Sequence, residues 1–503
     1  MVIKHRNALL VPLMLGAALG LVACRDVRAT SQPAEAPKAA ATAAAASATA
    51  SATATAKVDY VGEMKLTPAA GLIGSDVKAT GSGFTPNADV QLLWQDMKGQ
   101  WNYNKDDGAF KGRSFKEERV PLATVKSDAK GSWEASFKVP DGFGFTHTVW
   151  AMQDDTVKNQ AGYRVKMTVE MTPTSGPPGT QVQLKVRGMG WANLENSWQL
   201  NVDNKYTGWM SSVTTHGTAT GSFTISGNPG THVVQLLHGW SFVPYLNNQQ
   251  SPRPDREMFT RQFNITDAPP VLPPPAETQG LPIVKGEAPK DGGKPAIWLD
   301  VVRGPINQPL VLKGMNLPAG PVEFKWFRVT GNRISGGGWA EKDTVLGTAQ
   351  AANGATTLSF KALDDLGGPH RIEAIVGGKT VATTEYVITP TALPVVKASG
   401  PAGSVASIHL KGVGWTETAN IYMMVYDGAY MGFACGFNSQ GDIQIDFPLT
   451  GAPGVHFVDV YPGIYKGTDV AGTDNYREPQ LTYAEDHPNE KLPAFRFAVN
   501  VTP

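Results

Sequence analysis

From about residue 58 onward, apolar and polar residues alternate in short runs along the chain. In the segment QVQLKV (181–186) every second residue is apolar, and Trp198, Leu200 and Val202 alternate with polar residues in the same way. Successive side chains of a β-strand point to opposite faces, so this period of two predicts strands with one buried face. No long stretch has apolar residues at helical spacing. The pattern therefore predicts an all-β chain.

Landmark residues recur along these strands, which indicates internal repeats. NKYTGW (204–209) is matched by GAYMGF (428–433), 224 residues later, and the same offset relates Trp191 to Trp415. A shorter signature, Gly-x5-Phe, occurs four times: Gly131/Phe137, Gly217/Phe223, Gly354/Phe360 and Gly441/Phe447. A histidine follows each Phe after nine or ten residues: His147, His232, His370 and His456. The repeats predict four copies of one domain.

The repeats also place the domain boundaries. A chain of 503 residues is too long for one core. The units are predicted at 58–170, 171–268, 281–390 and 391–503, each near the size of an immunoglobulin-like sandwich. Between the second and third units runs DAPPVLPPPAETQGLP, with a Pro-rich linker placed at 269–280. Such a sequence predicts a semi-rigid spacer and hence two tandem pairs joined by a stiff hinge.

The openings of the units carry a family resemblance. PTSGPPGTQVQLKVRGMGW (173–191) and SGPAGSVASIHLKGVGW (399–415) resemble the start of IPT/TIG-type immunoglobulin-like domains of bacterial and other surface proteins. The resemblance covers most of residues 58–503. It implies four tandem immunoglobulin-like β-sandwiches. Related domains often carry a tyrosine against the backbone where the repeated histidines stand, so we expect a structural role for these histidines.

The paired hexapeptides follow predicted chain reversals. Asp203-Asn204 and Asp427-Gly428 predict tight hairpin turns, after which Tyr206 and Tyr430 begin the returning strands. The two tyrosines would stabilise their own sheets through cross-strand pairs or, alternatively, form a paired binding surface. Gly208 and the equivalent glycine at 432 would permit a bulge.

The N-terminus has the pattern of a targeting signal. Basic residues precede an apolar run over 8–20, too short to span a bilayer comfortably, which ends in LVAC (21–24). LVAC resembles the lipobox of bacterial lipoproteins. This implies a signal peptide over 1–23 and lipid attachment at Cys24; an ordinary cleaved signal is the alternative. Arg25 stands where an Asp would imply retention in the inner membrane, so the resemblance implies an outer-membrane location, periplasmic or surface-facing. The Ala/Thr/Pro-rich residues 24–57 predict a disordered tether.

Charge and motif content argue against several functions. Lys plus Arg and Asp plus Glu number 44 each, so no overall field attracts nucleic acid. The chain has no GxSxG elbow, HExxH motif or phosphate-binding glycine loop. We therefore expect no enzyme activity, cofactor or metal. Cys24 and Cys435 are the two cysteines, and Cys435 is expected to be a buried, inert thiol, with an intermolecular disulfide as the alternative.

Three insertions interrupt the repeat and contain aromatic residues in predicted loops. They span 100–119, 238–258 and 462–491, and the last two correspond to F–G loops, which commonly carry recognition. Their candidate partner-binding residues are Trp101, Tyr103, Trp240, Phe242, Tyr245, Tyr465 and Tyr476. These rings would either cover their own sandwiches or anchor a partner. The sequence predicts a lipid-anchored, non-enzymatic binding or scaffold protein with a possible protein or polysaccharide partner. The alternative is a glycan- or exopolymer-binding or adhesion protein. The ligand and the oligomeric state stay open.

Overall fold

The computed structural model describes residues 60–104, 109–192, 194–240, 243–250, 258–332, 338–465, 476–488 and 491–503. The predicted signal peptide, Cys24, the predicted tether and Phe242 lie outside the described residues. Within the described ranges no helix is long and apolar enough to cross a membrane.

The described chain forms four β-sandwiches, I to IV. Sandwich I contains β1 (Met64–Thr67), β2 (Ala70–Gly71), β3 (Asp76–Gly81), β4 (Asp89–Tyr103), β5 (Phe110–Lys126), β6 (Trp133–Lys138), β7 (Phe145–Gln153) and β8 (Thr156–Val165). Sandwich II contains β9 (Thr168–Thr172), β10 (Ser175–Gly176), β11 (Gln181–Arg187), β12 (Ser197–Val202), β13 (Lys205–Ser211), β14 (Thr218–Thr224), β15 (Gly230–Trp240), β16 (Val243–Pro244) and β17 (Met258–Ile265).

The third and fourth sandwiches repeat this order of strands. Sandwich III contains β18 (Val284–Lys285), β19 (Ala296–Leu299), β20 (Val301–Gly304), β21 (Pro309–Met315), β22 (Gly320–Asn332), β23 (Gly338–Ala351), β24 (Thr356–Lys361), β25 (Gly368–Val376) and β26 (Lys379–Ile388). Sandwich IV contains β27 (Thr391–Ala392), β28 (Ser399–Pro401), β29 (Val405–Lys411), β30 (Ile421–Tyr426), β31 (Ala429–Cys435), β32 (Ile443–Pro448), β33 (Gly454–Gly463) and β34 (Phe495–Thr502). Short 3₁₀ turns lie at Asn248–Gln250 and Ala276–Thr278.

All four sandwiches share one topology. The smaller sheets have the orders β1-β3-β6, β9-β11-β14, β19-β21-β24 and β27-β29-β32. In each larger sheet the last strand of the sandwich pairs in parallel with a short early strand, as β17 does with β10, and antiparallel with the preceding long strand, as β17 does with β15. The expected all-β fold of four tandem sandwiches is confirmed.

The cores follow the predicted alternation. On β11, Val182, Leu184 and Val186 are buried, and the three polar residues between and before them are exposed. The repeated Phe is buried in sandwiches I, II and IV and partly buried in sandwich III. Burying an aromatic side chain from each copy removes a large apolar area from water, which gives every sandwich a common core anchor.

The predicted hairpins are also confirmed. Asp203 and Asn204 have φ angles of +50° and +63°, as the tight turn between β12 and β13 requires. Asp427 and Gly428 make the equivalent turn between β30 and β31. The register shifts once in each hairpin, next to the glycine that follows Tyr206 or Tyr430 by two residues. The bulges expected there are present.

Neighbouring sandwiches meet through the same contact in both tandem pairs. The Gly144 N–H donates to the Met189 carbonyl oxygen at 2.9 Å, joining I to II. The Gly367 N–H donates to the Val413 carbonyl oxygen at 2.9 Å, joining III to IV. Met189 and Val413 are 224 residues apart. A two-domain module is therefore repeated, including its internal junction.

The Pro-rich linker, predicted as a stiff hinge between the two pairs, is docked on sandwich IV. Ala276 is buried in the core of sandwich IV. The Gln279 side chain donates to the Arg496 carbonyl oxygen and accepts from the Arg496 N–H, each at 2.7 Å. The Val271 N–H also donates to the Pro178 carbonyl oxygen of sandwich II. The linker is therefore held by hydrogen bonds to both sandwich II and sandwich IV.

Candidate functional site

Two of the predicted partner-binding aromatics are buried where three sandwiches meet. Trp101 of the β4–β5 hairpin is 8% exposed, and Tyr476 of sandwich IV is fully buried. Phe110 lies 4.9 Å from Tyr476 between ring centres, and Trp209 of β13 lies 6.1 Å from it. The structure thus contradicts the assignment of Trp101 and Tyr476 to a partner interface. Residues from other sandwiches of the same chain cover both rings.

A buried carboxylate holds this junction together. Asp486 is fully buried and accepts five hydrogen bonds of 2.6–2.9 Å. The donors are Trp101 Nε1 from sandwich I and four groups from sandwich II: Ser211 Oγ, the Val213 N–H, the Thr214 N–H and Thr214 Oγ1. A buried carboxylate is tolerated where hydrogen bonds replace its hydration, so Asp486 ties sandwiches I and II to sandwich IV.

A stretch of sandwich IV also extends the sheet of sandwich II. Residues 478–482, here called the covering segment, run beside the edge strand β13. The Trp209 N–H donates to the Pro479 carbonyl oxygen, and the Leu481 N–H donates to the Trp209 carbonyl oxygen, both at 2.8 Å. Trp209 and Gln480 form a parallel bridge. The covering segment thereby satisfies backbone groups that an edge strand leaves open.

The paired hexapeptides contact each other. Tyr206 and Tyr430 pack edge to face, with 6.2 Å between ring centres. Beside them, Thr207 Oγ1 donates to the Gly428 carbonyl oxygen at 2.7 Å. Equivalent positions of II and IV therefore face each other, and the two tyrosines, which belong to the hairpins of their own sheets, pair with each other across the two sandwiches. The alternative, a paired binding surface, stays a prediction.

A buried glutamate lies at the same interface. Glu478 is 7% exposed and interacts electrostatically with Tyr206 and Tyr430. Burial raises the pKa of Glu478 to about 8, against a weaker lowering effect of its own backbone and of Arg477. The charged form is disfavoured because this site offers less solvation than water.

The other predicted aromatics lie elsewhere. Tyr465 is partly buried, with its ring 5.2 Å from that of Phe437. Tyr245 is partly exposed and donates its hydroxyl to the Gln250 carbonyl oxygen at 3.2 Å. Trp240 ends β15, where it pairs with Val243 of β16, and Phe242 lies outside the described residues. Tyr103 is 42% exposed.

Tyr103 faces a cleft of about 450 Å³ that the sequence did not reveal. The walls come from three sandwiches and the linker, and their main side chains are Tyr103, Leu281, Arg303, Glu385, Trp415 and Lys491. Trp415 is one of the landmark residues, and it is partly exposed. The cleft therefore combines two aromatic rings with side chains of both charges, the composition of a specific small-ligand pocket. Only chain folding brings residues 103, 303 and 415 together.

A second cleft, of about 800 Å³, lies between sandwiches I and II. Four of the five titratable side chains that line it pair with each other: Lys98 with Glu118 at 2.8 Å, and His216 with Asp96 at 2.7 Å. The hydrogen bond that the His216 ring donates to Asp96 raises the pKa of His216. Charges already paired within the wall have less to offer a ligand. The smaller cleft is thus the better candidate.

The four repeated histidines have the structural role predicted for them. In every copy Nε2 lies 2.7–2.8 Å from the carbonyl oxygen four residues earlier. In II and IV the other ring nitrogen contacts the turn aspartate, as His456 Nδ1 does Asp427 at 2.5 Å. Burial lowers the pKa of His147 in sandwich I. In the part of the chain covered by the structure, no three His, Cys, Asp or Glu side chains are grouped to hold a metal ion.

Cys435 differs from its prediction. It is exposed at the end of β31, not buried. The alternation along β31 explains the difference, because every second side chain of this edge strand points outward.

Comparison with known proteins does not assign the chain to a family. No protein-family model and no curated protein matches the chain. Among solved structures, Salmonella alpha-2-macroglobulin reacted with methylamine aligns with 88% of the chain at 10% identity and a TM-score of 0.19. An ICAM-5 ectodomain fragment aligns with 83% of the chain, and 98% of the fragment, at 9% identity and a TM-score of 0.19. The chain spans about a third (31%) of the macroglobulin's length. The β-sandwich fold rests on the sheet topology described above.

Proposed function

We propose that the chain is a lipid-anchored, non-enzymatic binding protein of the outer membrane that takes its ligand in the cleft containing Tyr103 and Trp415. The observation that carries the proposal is the cleft itself. Its volume lies within the range of small-ligand pockets, roughly 300–1,000 Å³. A ring from sandwich I and a ring from sandwich IV line it together with Arg303, Glu385 and Lys491.

The docked arrangement of the sandwiches supports a preformed site. Asp486 holds sandwich I to sandwich IV, and the hydrogen bond from the Gly367 N–H to the Val413 carbonyl oxygen holds sandwich III to sandwich IV, so the walls of the cleft are in place before a ligand arrives. Preorganisation lowers the entropic cost of binding. The anchor part of the proposal rests on the resemblance of LVAC to a lipobox.

A glycan or exopolymer segment is the ligand class favoured by the lining. Sugar rings stack their apolar faces on aromatic rings, and their hydroxyls pair with charged side chains, both of which the cleft offers. A folded protein domain is too large for a cleft of about 450 Å³, although a protein loop is not.

The cleft is tested by binding measurements on variants. The full-length chain in detergent should be screened against soluble bacterial polysaccharides and then titrated with any hit by calorimetry. Trp415→Ala and Tyr103→Ala should each weaken binding about tenfold or more, since aromatic anchors carry much of a binding energy. Leu72→Ala, at an exposed position outside the cleft, is the matched control. Binding that all three variants retain would place the ligand elsewhere.

The anchor is tested separately. Cys24→Ser should leave the ectodomain folded and release it from membranes, because a serine oxygen does not take the place of the acylated thiol. Membrane fractionation with a labelled fatty acid reads out both anchoring and acylation. A variant that stays acylated and membrane-bound would refute the lipoprotein assignment.

A further inference from the structure

Sandwiches II and IV carry the same edge strand, and within the described residues only one of the two is covered. β13 and β31 each end the larger sheet of their sandwich, and their residues correspond at the offset of 224. On β13 three alternate residues are at most 1% exposed: Thr207, Trp209 and Ser211. On β31 the three matching residues are exposed, Met431 by 60% and Phe433 by 46%, together with Cys435. An apolar row thus lies open along β31.

The backbone shows the same contrast. A Cβ atom added to Gly208 would lie 2.5 Å from the Pro479 carbonyl oxygen, because the covering segment passes directly over this position. A Cβ atom added at the equivalent Gly432 would meet nothing within 4 Å. Among the described residues β31 pairs with β30 alone. Natural proteins usually protect such an edge, since open strands recruit other chains.

We propose that the edge of β31 binds an extended segment of a partner protein, in the parallel manner in which β13 binds the covering segment. The segment would offer one carbonyl oxygen and, two residues later, one N–H to the backbone of Phe433. The Pro479 carbonyl oxygen and the Leu481 N–H make the same two hydrogen bonds to the backbone of Trp209. An apolar side chain of the segment would pack on Met431 and Phe433.

Charge narrows the choice of occupant. The guanidinium of Arg477 lies 5.4 Å from the centre of the Phe433 ring. An acidic residue in the bound segment would meet this positive charge. Two copies of the chain pairing edge to edge would instead bring two Arg477 side chains together, which opposes self-association. The covering segment of the same chain is already engaged on β13. The structure therefore favours an acidic, proline-containing segment of another protein.

The chain's own sequence supplies the probe. A labelled peptide EPQLT, identical to the covering segment (478–482), contains its acidic residue, its proline and its leucine. Fluorescence polarisation with the full-length chain in detergent should show saturable binding. Phe433→Lys should weaken binding about tenfold or more, as expected for loss of an aromatic anchor. The peptide methylated on the leucine nitrogen should fail to bind, because the backbone hydrogen bond is lost.

Matched variants keep the test decisive. Met431→Lys provides a second change on the same edge, and Leu246→Lys changes an exposed residue of sandwich II as a control. All three positions are exposed, so circular dichroism should show unchanged folding. Binding that survives both edge variants and leucine N-methylation would overturn the proposal, as would no binding at all. The proposal would also be overturned if light scattering showed a dimer that Phe433→Lys dissociates. The occupant of the edge would then be a second copy of the chain. The cleft containing Tyr103 plays no part in this test, so its outcome is independent of the proposed function.

Discussion

Replacing Asp486 with alanine is expected to undock sandwiches I and II from sandwich IV. The change removes the shared acceptor of five donors, of which Trp101 Nε1 and the Val213 N–H are examples. A hydrogen bond to a charged group contributes about 1.5–3 kcal/mol. Five such bonds do not add in full, because the donors regain water once the interface opens. Breaking a buried charged network typically costs about 3–5 kcal/mol, which we take as the expected loss.

Calorimetry and small-angle scattering measure this loss. At about 2–4 °C per kcal/mol for domains of 150–250 residues, the melting transition of the docked sandwiches should fall by about 6–20 °C. The radius of gyration should rise as the sandwiches separate. Asp486→Asn should lower the melting temperature by an intermediate amount. The amide keeps one acceptor oxygen, but its NH₂ group faces donors that it cannot accept from.

The neighbouring residue is the control. Glu485 is exposed, and Glu485→Ala should melt close to wild type. If Asp486→Ala melts within about 1 °C of this control, with an unchanged radius of gyration, the carboxylate does not hold the junction and the reasoning fails.

Two further predictions concern the interface and the cores. The folded-state pKa of Glu478, about 8, lies above the ordinary glutamate value. The stabilisation from its protonated form is therefore fully present below about pH 4.5 and is lost as pH rises through about 8. Glu478→Gln should make the chain more stable than wild type at pH 9, by an amount of the order of 3–5 kcal/mol, and little different at pH 5, as read from urea denaturation at both pH values. An equal wild-type-to-variant difference at the two pH values would contradict this. Phe223→Ala should destabilise sandwich II by about 3–5 kcal/mol because it empties a fully buried site, whereas the exposed Phe433→Ala should cost under about 0.5 kcal/mol. Similar urea midpoints for the two variants would show that Phe223 is not a core anchor.

Local signals predicted the fold well. The alternation around Val182 and the turn residues Asp203-Asn204 act over a few positions, and tertiary structure preserved both. The repeated histidines were also assigned correctly, because one per copy is the signature of a structural element and not of a shared site.

The site was harder to predict because its partners are remote. From the sequence, the insertions around Trp101 and Tyr476 are predicted to be loops with aromatic residues. Their local sequence does not indicate which sandwich covers them. The hydrogen bond from Trp101 to Asp486 spans 385 residues. The residue offset of 224 did contain one usable signal: it paired Tyr206 with Tyr430, which the structure places in contact. Periodicity cannot distinguish an edge strand that is covered from one that is open, so the difference between β13 and β31 required coordinates.

The covering segment has a consequence for biosynthesis. Ser211, the last residue of β13, and Thr482 are separated by 271 residues, so sandwich II is made long before the stretch that protects its edge. At about 5–20 residues per second, synthesis leaves the β13 edge uncovered for about 15–55 s. During that interval Trp209 and the strand backbone are open to other nascent chains. A chaperone that shields exposed strands would be needed in this period. A chain that stops after sandwich II would leave the β13 edge permanently unpaired and would aggregate.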